Sequence, residues 1–153
     1  MSHTRFDVPT VDASTQPLWD AIAAGRLLIK RCRDCGRYHF YPREFCPHCW
    51  SDAVEWEQAS GLATLYTWSV VRVNDLPPFD QRVPYIAAVV DLAEGPRLMT
   101  NVVDCAIEDL RADLELELIC RRADDDSPPL PFFRPRARPR AEPGSAMTVT
   151  SAD

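Results

Sequence analysis

The sequence predicts a mainly β protein with an N-terminal helix, a four-cysteine metal module and a five-stranded barrel, in that order. Three observations carry this prediction. Helix-capping residues flank an apolar stripe near the N-terminus, two Cys-x2-Cys pairs follow, and the second half alternates apolar and polar residues with the period of a strand. With 153 residues, the chain has room for one modest domain or two small modules.

The first predicted element is a helix that ends before Gly25. Thr15 or Gln16 is placed to cap it, Pro17 falls in its first turn, and Gly25 occupies a C-terminal cap position. Its apolar face comprises Leu18, Trp19 and Ile22. The stretch RLLIKR then leads, in an extended conformation, into the cysteines.

Four cysteines follow in the pattern C-x2-C-x10-C-x2-C, namely Cys32, Cys35, Cys46 and Cys49. Thiolates two residues apart bind one ion from a single tight turn, so two such turns supply a tetrahedral set of sulfurs. Zinc is the common occupant, although iron and iron–sulfur clusters use the same ligands. Because four cysteines leave no position for water, the pattern predicts a structural Zn2+ and leaves His48 in solvent.

The region after the cysteines is predicted to form strands separated by turns. VEWE (54–57) is the exit strand of the cysteine module. The barrel strands are ATLYTWSVVRV (63–73), YIAAVVDL (85–92), RLMTNVVDC (97–105), LELELIC (114–120) and LPFFRP (130–135). Strict alternation in the first of these predicts that Leu65, Thr67 and Ser69 share one face and that Tyr66 and Trp68 share the other. Five strands with a helical turn before the penultimate long strand favour a small, partly open barrel.

Charge is distributed unevenly along the chain. Residues 26–49 carry six basic and two acidic side chains, whereas residues 50–133 carry 16 acidic and 6 basic ones, and the net charge is −6. An acidic body repels a phosphate backbone, which disfavours a nucleic-acid partner. No apolar run is long enough for a membrane span, and the N-terminus has no secretory signal pattern, so we expect a cytoplasmic protein without membrane association.

Catalytic groups are sparse. Of three histidines, one precedes the predicted helix and two lie in the cysteine segment, so the strand region supplies no base for a Ser–His or Cys–His pair. Cys105 and Cys120 are expected to be small buried apolar residues. We therefore assign no catalytic residue, and the chain is not expected to be an enzyme on its own.

Several segments, in order, resemble a family of acyl-CoA-associated proteins that join a rubredoxin-like zinc ribbon to an OB-fold. They are LWDAIAAGRLLIKRCRDCGRYHFYPREFCPHCWS, GLATLYTWSVV, PYIAAVVDLAEGPRLMTNVVDC and LPFFRP. The resemblance covers roughly residues 15–135 and implies an N-terminal helix packed on a zinc ribbon, followed by an OB-fold. We therefore divide the chain into an N-terminal helical segment (1–29), a zinc ribbon (30–57) and an OB-fold (58–135). Residues 136–153 are rich in Pro, Ala and Arg without apolar periodicity, which predicts a disordered tail.

The resemblance also implies a function. Members are accessory partners of thiolase-like enzymes, including sterol-carrier-type thiolases and aldolases acting on acyl-CoA, and related domains accompany MaoC-type hydratases in steroid side-chain breakdown. Catalytic residues then lie in the partner, and acyl-CoA occupies a shared channel. Candidate contacts with the partner or with CoA are Phe40, Tyr41, Arg43, Trp50, Trp68 and Phe79, of which Phe40 and Trp68 are expected mainly to fill the core.

Two departures from the family pattern affect the backbone. Trp50 stands where the family usually has glycine after the fourth cysteine, and a left-handed conformation there disfavours a bulky residue, so we expect the second turn to be opened. Asp113 stands where glycine is usual before the fourth barrel strand, and aspartate tolerates a left-handed conformation.

Two other functions stay open from the sequence. Zinc ribbons and OB-folds both often bind nucleic acids, so a single-stranded nucleic-acid module is one alternative. A standalone acyl-CoA-binding protein is the other. The chain contains one lysine in all, which disfavours a strand-tracking groove.

Overall fold

The structure is a computed structural model, and it describes residues 8–123, 125 and 127–137. One helix, α1 (Gln16–Ala23), precedes a three-stranded antiparallel sheet and a closed barrel. The sheet has the order β2–β1–β3, formed by β1 (Leu28–Cys32), β2 (Tyr38–His39) and β3 (Val54–Gln58). The predicted tail lies outside the described residues beyond residue 137, so its disorder stays a prediction.

The barrel contains five strands in the order β4–β5–β6–β8–β7. They are β4 (Leu62–Val71), β5 (Tyr85–Leu92), β6 (Arg97–Val102), β7 (Glu115–Arg122) and β8 (Pro129–Pro135). The sequence predicts a partly open barrel, but the structure closes it through one parallel pairing, Val102 with Phe133. Two 3₁₀ turns, Phe79–Gln81 and Ile107–Asp109, lie in the connections before β5 and before β7.

The helix begins differently from the prediction. Thr15 is the N-cap residue by position, but its side chain makes no capping bond. Instead the Asp12 carboxylate accepts the backbone N–H of Thr15 at 2.9 Å and its hydroxyl at 3.0 Å. The end follows the prediction: Gly25 has a φ of 76°, and Arg26 N–H donates to the Ala21 carbonyl at 2.8 Å, which is a glycine-terminated helix end.

The predicted faces of β4 are correct only up to Leu65. A register shift between Leu65 and Thr67 leaves both Tyr66 and Thr67 exposed. A bulge of this kind adds one residue to the strand and reverses the alternation after it. Trp68 therefore packs against the barrel core instead of sharing the outer face with Tyr66.

One apolar cluster connects the helix, the three-stranded sheet and the barrel. It includes Leu18 and Ile22 from α1, Ile29 from β1, Leu65 from β4 and Phe133 from β8. Cys105 and Cys120 pack against this cluster, and burial raises the pKa of both thiols, as expected for inert core cysteines. None of the helices in the described ranges is long and apolar enough to cross a membrane.

Candidate functional site

The four predicted metal ligands come together at the far end of β1. Cys32 and Cys35 flank the turn that follows β1, and Cys46 and Cys49 flank a second turn before β3. All four sulfurs lie within 4.8 Å of one another. The Sγ atoms are 3.6 Å apart between Cys32 and Cys49 and 3.7 Å apart between Cys35 and Cys46.

These distances fit a tetrahedral metal site. Sulfurs about 2.3 Å from a central Zn2+ are separated by about 3.8 Å, close to the spacing observed. Backbone N–H groups of Cys35 and Asp34 help to lower the pKa of the Cys32 thiol to about 7. The backbone of Ser51 favours the Cys49 thiolate, but burial and the neighbouring thiols raise the pKa of Cys49 to about 12. Cys32 and Cys49 thus favour different protonation states without a cation, whereas a metal ion binds thiolates, and four sulfurs at this spacing form a suitable donor set.

The two turns have the same backbone hydrogen bonds. Gly36 N–H donates to the Cys32 carbonyl and Trp50 N–H donates to the Cys46 carbonyl, both at 2.9 Å. Gly36 has a φ of 71° and Trp50 a φ of 64°. The expectation that Trp50 opens the second turn is therefore wrong: the backbone keeps the glycine-like conformation and accepts the strain. Asp113 takes the left-handed conformation expected for it, with a φ of 60°.

The strained turn presents an aromatic pair to solvent. Trp50 is 76% exposed and stacks on Phe45, with ring centroids 5.4 Å apart and planes 9° apart. Tyr41 lies in the spacer between the two cysteine pairs, as Phe45 does. It is also exposed and contacts Phe40, with ring centroids 4.8 Å apart. We call the exposed residues Tyr41, Phe45 and Trp50 the aromatic ribbon surface. Phe45 was not among the predicted contacts. The sequence feature that could have indicated it is its position directly before the metal ligand Cys46.

The other predicted contact residues do not form one site. Phe40 and Trp68 are half-buried and pack against the core, as expected for filler residues. Arg43 is exposed on the spacer between the cysteine pairs. Phe79 lines a cavity at one end of the barrel, together with Tyr85, whose ring centroid is 6.4 Å away.

The two histidines of the cysteine segment differ. His48 is exposed, as predicted, and its Nε2 lies 3.4 Å from the Tyr38 carbonyl. His39 is buried on β2, and burial lowers the pKa of its imidazole, which favours the neutral form. Neither ring replaces a cysteine in the sulfur cluster.

Comparison with known proteins supplies the family. One family profile, the rubredoxin-like zinc ribbon domain of ChsH2, matches residues 19–55, and another, the C-terminal OB-fold domain of ChsH2, matches residues 56–120. A DUF35 domain-containing scaffold protein of Methanocaldococcus jannaschii is 38% identical over 102 residues, which cover 65% of this chain and 71% of that protein. This chain belongs to the ChsH2/DUF35 family.

Two ChsH2/DUF35-type solved structures resemble this one. The Ltp2-ChsH2(DUF35) aldolase contains a chain that matches with a TM-score of 0.72 and 32% identity, covering 83% of this chain and 98% of that one. A DUF35 protein of Sulfolobus solfataricus matches with a TM-score of 0.58 at 12% identity, over 82% of this chain and 87% of that one, which shows the fold alone. The predicted fold class and the structural zinc of a ribbon are thereby confirmed.

A further ChsH2/DUF35 relative is longer. A probable enoyl-CoA hydratase alpha subunit of Thermomonospora curvata is 33% identical over 127 residues, which cover 83% of this chain. They cover only 39% of that protein, so most of its length has no counterpart in this alignment.

Proposed function

We propose that this chain is the non-catalytic subunit of a thiolase-like aldolase that makes or breaks carbon–carbon bonds in acyl-CoA thioesters. The observation that carries the proposal is the 32% identical match to a chain of the Ltp2-ChsH2(DUF35) aldolase, which covers 98% of that chain. Relatives named scaffold proteins support an accessory function. In this assignment the partner supplies the reacting groups, and this chain supplies a surface and part of the substrate channel.

In this function, zinc holds the ribbon together and takes no part in the reaction. Cys32, Cys35, Cys46 and Cys49 are the proposed ligands, and four thiolates leave no position on the metal for water or substrate. When bound, the ion supplies folding free energy on the order of 10 kcal/mol to a module with a small core. The two cysteine turns orient the sulfurs and position the aromatic ribbon surface.

The aromatic ribbon surface is the proposed docking site for the enzyme. Its exposed Trp50–Phe45 stack is the type of anchor that dominates binding energy at interfaces, where tryptophan, tyrosine and arginine are enriched. Arg43 adds a guanidinium suited to pair with a carboxylate of the partner. The left-handed Trp50 supports the assignment, because its strain offsets most of what its stack on Phe45 contributes, so the exposed indole adds little net stability to the isolated chain.

Co-expression tests the proposal directly. We expect this chain and a thiolase-like enzyme encoded beside it to copurify as a stable complex that cleaves a β-hydroxyacyl-CoA to an acyl-CoA and a carbonyl product. Each chain alone should be inactive, and re-mixing should restore turnover. Trp50→Ala should weaken the complex, whereas Met99→Ala, at an exposed apolar position on β6, is the matched control. A neighbouring enzyme that is fully soluble and active alone would refute the proposal.

A hydratase complex is the second candidate, because the Thermomonospora curvata relative is named an enoyl-CoA hydratase subunit. The two candidates differ in what they consume: a hydratase adds water to a conjugated enoyl-CoA and breaks no carbon skeleton. Assaying the same copurified complex with an enoyl-CoA therefore distinguishes them. Steroid side-chain or other lipid substrates, and a cytosolic location, are parts of this proposal that the substrate range and cell fractionation would test.

A further inference from the structure

A cavity with a volume of about 790 Å³ opens at one end of the barrel. It lies where β4 and β6 end and β5 begins, beneath the loop that carries the first 3₁₀ turn. Its apolar lining includes Val70, Ile86, Leu130, Phe132 and Ile107. The volume falls within the range of about 300–1,000 Å³ that is usual for small-molecule sites.

The cavity concentrates the positive charge of an acidic module. Residues 50–133 contain 16 acidic and 6 basic side chains. Three of those basic residues, Arg82, Arg121 and Arg122, line the cavity, whereas Asp104 and Glu108 are its acidic lining residues. Half of the arginines of this region thus surround one opening, while most of its carboxylates lie elsewhere.

Local contacts hold these guanidinium groups in place. Arg121 Nη1 donates to both Asp104 carboxylate oxygens, at 3.1 and 3.3 Å. Arg122 Nη1 donates to the Ser127 carbonyl at 2.6 Å. The Arg82 guanidinium carbon lies 5.8 Å from the centre of the Phe79 ring. Arg82 and Arg122, held against an aromatic ring and a carbonyl, are preorganised to receive an anionic group, since little side-chain freedom is left to lose, whereas Asp104 already offsets part of the charge of Arg121.

We propose that this cavity binds a small amphipathic anion, with a compact ring or branched apolar body inside the barrel end and a carboxylate or phosphate at the arginine rim. The site is separate from the aromatic ribbon surface and does not depend on the proposed enzyme partner. The apolar lining and the arginines at the opening together define this ligand class. The apolar lining disfavours free inorganic anions, and the arginines disfavour neutral hydrocarbons.

Calorimetric titration of the zinc-loaded full chain with 2-naphthoate tests the proposal. We expect 2-naphthoate to bind with a 1:1 stoichiometry and the neutral 2-naphthamide to bind at least tenfold more weakly. The double variant R82Q/R122Q should reduce naphthoate affinity at least tenfold, and it leaves the Arg121–Asp104 ion pair in place. Arg111→Gln is the matched control, because Arg111 belongs to the same acidic region but does not line the cavity.

A second variant tests the position of the apolar body. Val70→Trp should fill the cavity and abolish binding of both naphthalene probes, while the circular dichroism spectrum checks that the barrel is intact. No naphthoate binding at millimolar concentration, or an equal loss in Arg111→Gln, would overturn the site. So would equal affinity for the charged and neutral probes.

The anionic group has two sources, which two further titrations distinguish. Tighter binding of 2-naphthyl phosphate than of 2-naphthoate identifies a phosphate at the rim, whereas the reverse identifies a carboxylate. Inorganic phosphate binding as tightly as 2-naphthyl phosphate would overturn the apolar subsite. Because copurification with an enzyme is measured without these probes, failure of this site and failure of the proposed function are separate results.

Discussion

Replacing Trp50 separates the strain in the second zinc turn from the function of its side chain. Trp50 has a φ of 64°, a left-handed conformation that costs an L-residue roughly 1–2 kcal/mol. Glycine adopts it without strain, but loses about 0.5–1 kcal/mol more entropy on folding than alanine does. Trp50→Ala is therefore the matched control for Trp50→Gly, because it removes the indole and keeps the strain.

The magnitudes follow from these contributions. Both variants lose the stack with Phe45, worth about 0.5–1.5 kcal/mol, so this loss cancels between them. Trp50→Gly relieves the left-handed strain but loses more backbone entropy on folding. The difference makes Trp50→Gly more stable than Trp50→Ala by about 0.5–1 kcal/mol. Against the natural chain, strain relief offsets the lost stack and the entropy, so the free energy of unfolding of Trp50→Gly should change by less than about 1 kcal/mol.

Thermal unfolding at one fixed excess of zinc measures the difference, because bound metal itself shifts the midpoint. A difference of 1 kcal/mol corresponds to roughly 2–4 °C for a chain of this size. If the glycine variant melts at or below the alanine variant, the left-handed strain at Trp50 is not what we infer. Binding to the partner enzyme should fall in both variants by about 2 kcal/mol, or roughly 30-fold; unchanged affinity would remove Trp50 from the interface.

Three other predictions are independent of Trp50. Cys46→Ser should lower zinc content below one ion per chain, by atomic emission, and cause loss of the ribbon fold, whereas Cys120→Ser, outside the sulfur cluster, should keep the metal. Gly61→Ala should lower the free energy of unfolding in urea by about 2–3 kcal/mol, because the site combines a positive φ with a close neighbour; a new Cβ there lies 3.2 Å from Leu118 Cβ. Gly25→Ala has a positive φ but open space, so its smaller loss measures the backbone contribution alone. Single-stranded oligonucleotides should show no gel shift at low salt, and a salt-dependent shift would contradict the assignment.

The sequence predicts those features that depend on local spacing. Two Cys-x2-Cys pairs bring four sulfurs together because each pair needs only one tight turn, and the structure has both turns. The alternation from Leu114 to Cys120 predicts β7 because one side of that strand faces the core. In β4, by contrast, the bulge after Leu65 depends on pairing with two other strands, so period alone assigns the residues beyond it to the wrong faces.

The response of the backbone at Trp50 also lies beyond sequence reasoning. Steric preference for glycine predicts that a bulky residue opens the turn, but the hydrogen bond from Trp50 to the Cys46 carbonyl and the closure of the sulfur cluster outweigh that preference. A strain of 1–2 kcal/mol is small beside the roughly 10 kcal/mol that zinc binding contributes. A metal-held turn therefore tolerates a side chain that an ordinary turn would reject, and places it in solvent.

Summed charge predicts repulsion of long polyanions, but it does not reveal the local pattern of charge at the barrel cavity. With 16 acidic and 6 basic residues over 50–133, a nucleic-acid strand crossing the barrel would meet repeated carboxylates. A ligand with one anionic group is affected mainly by the side chains around it, and at the barrel cavity these are three arginines against two carboxylates, Asp104 and Glu108. The fold brings together Arg82 and the Arg121–Arg122 pair from distant parts of the chain, which no window along the sequence contains. Under the cavity proposal, an acidic protein repels polyanions and still binds one compact anion, because repulsion depends on the whole surface and binding on a few side chains.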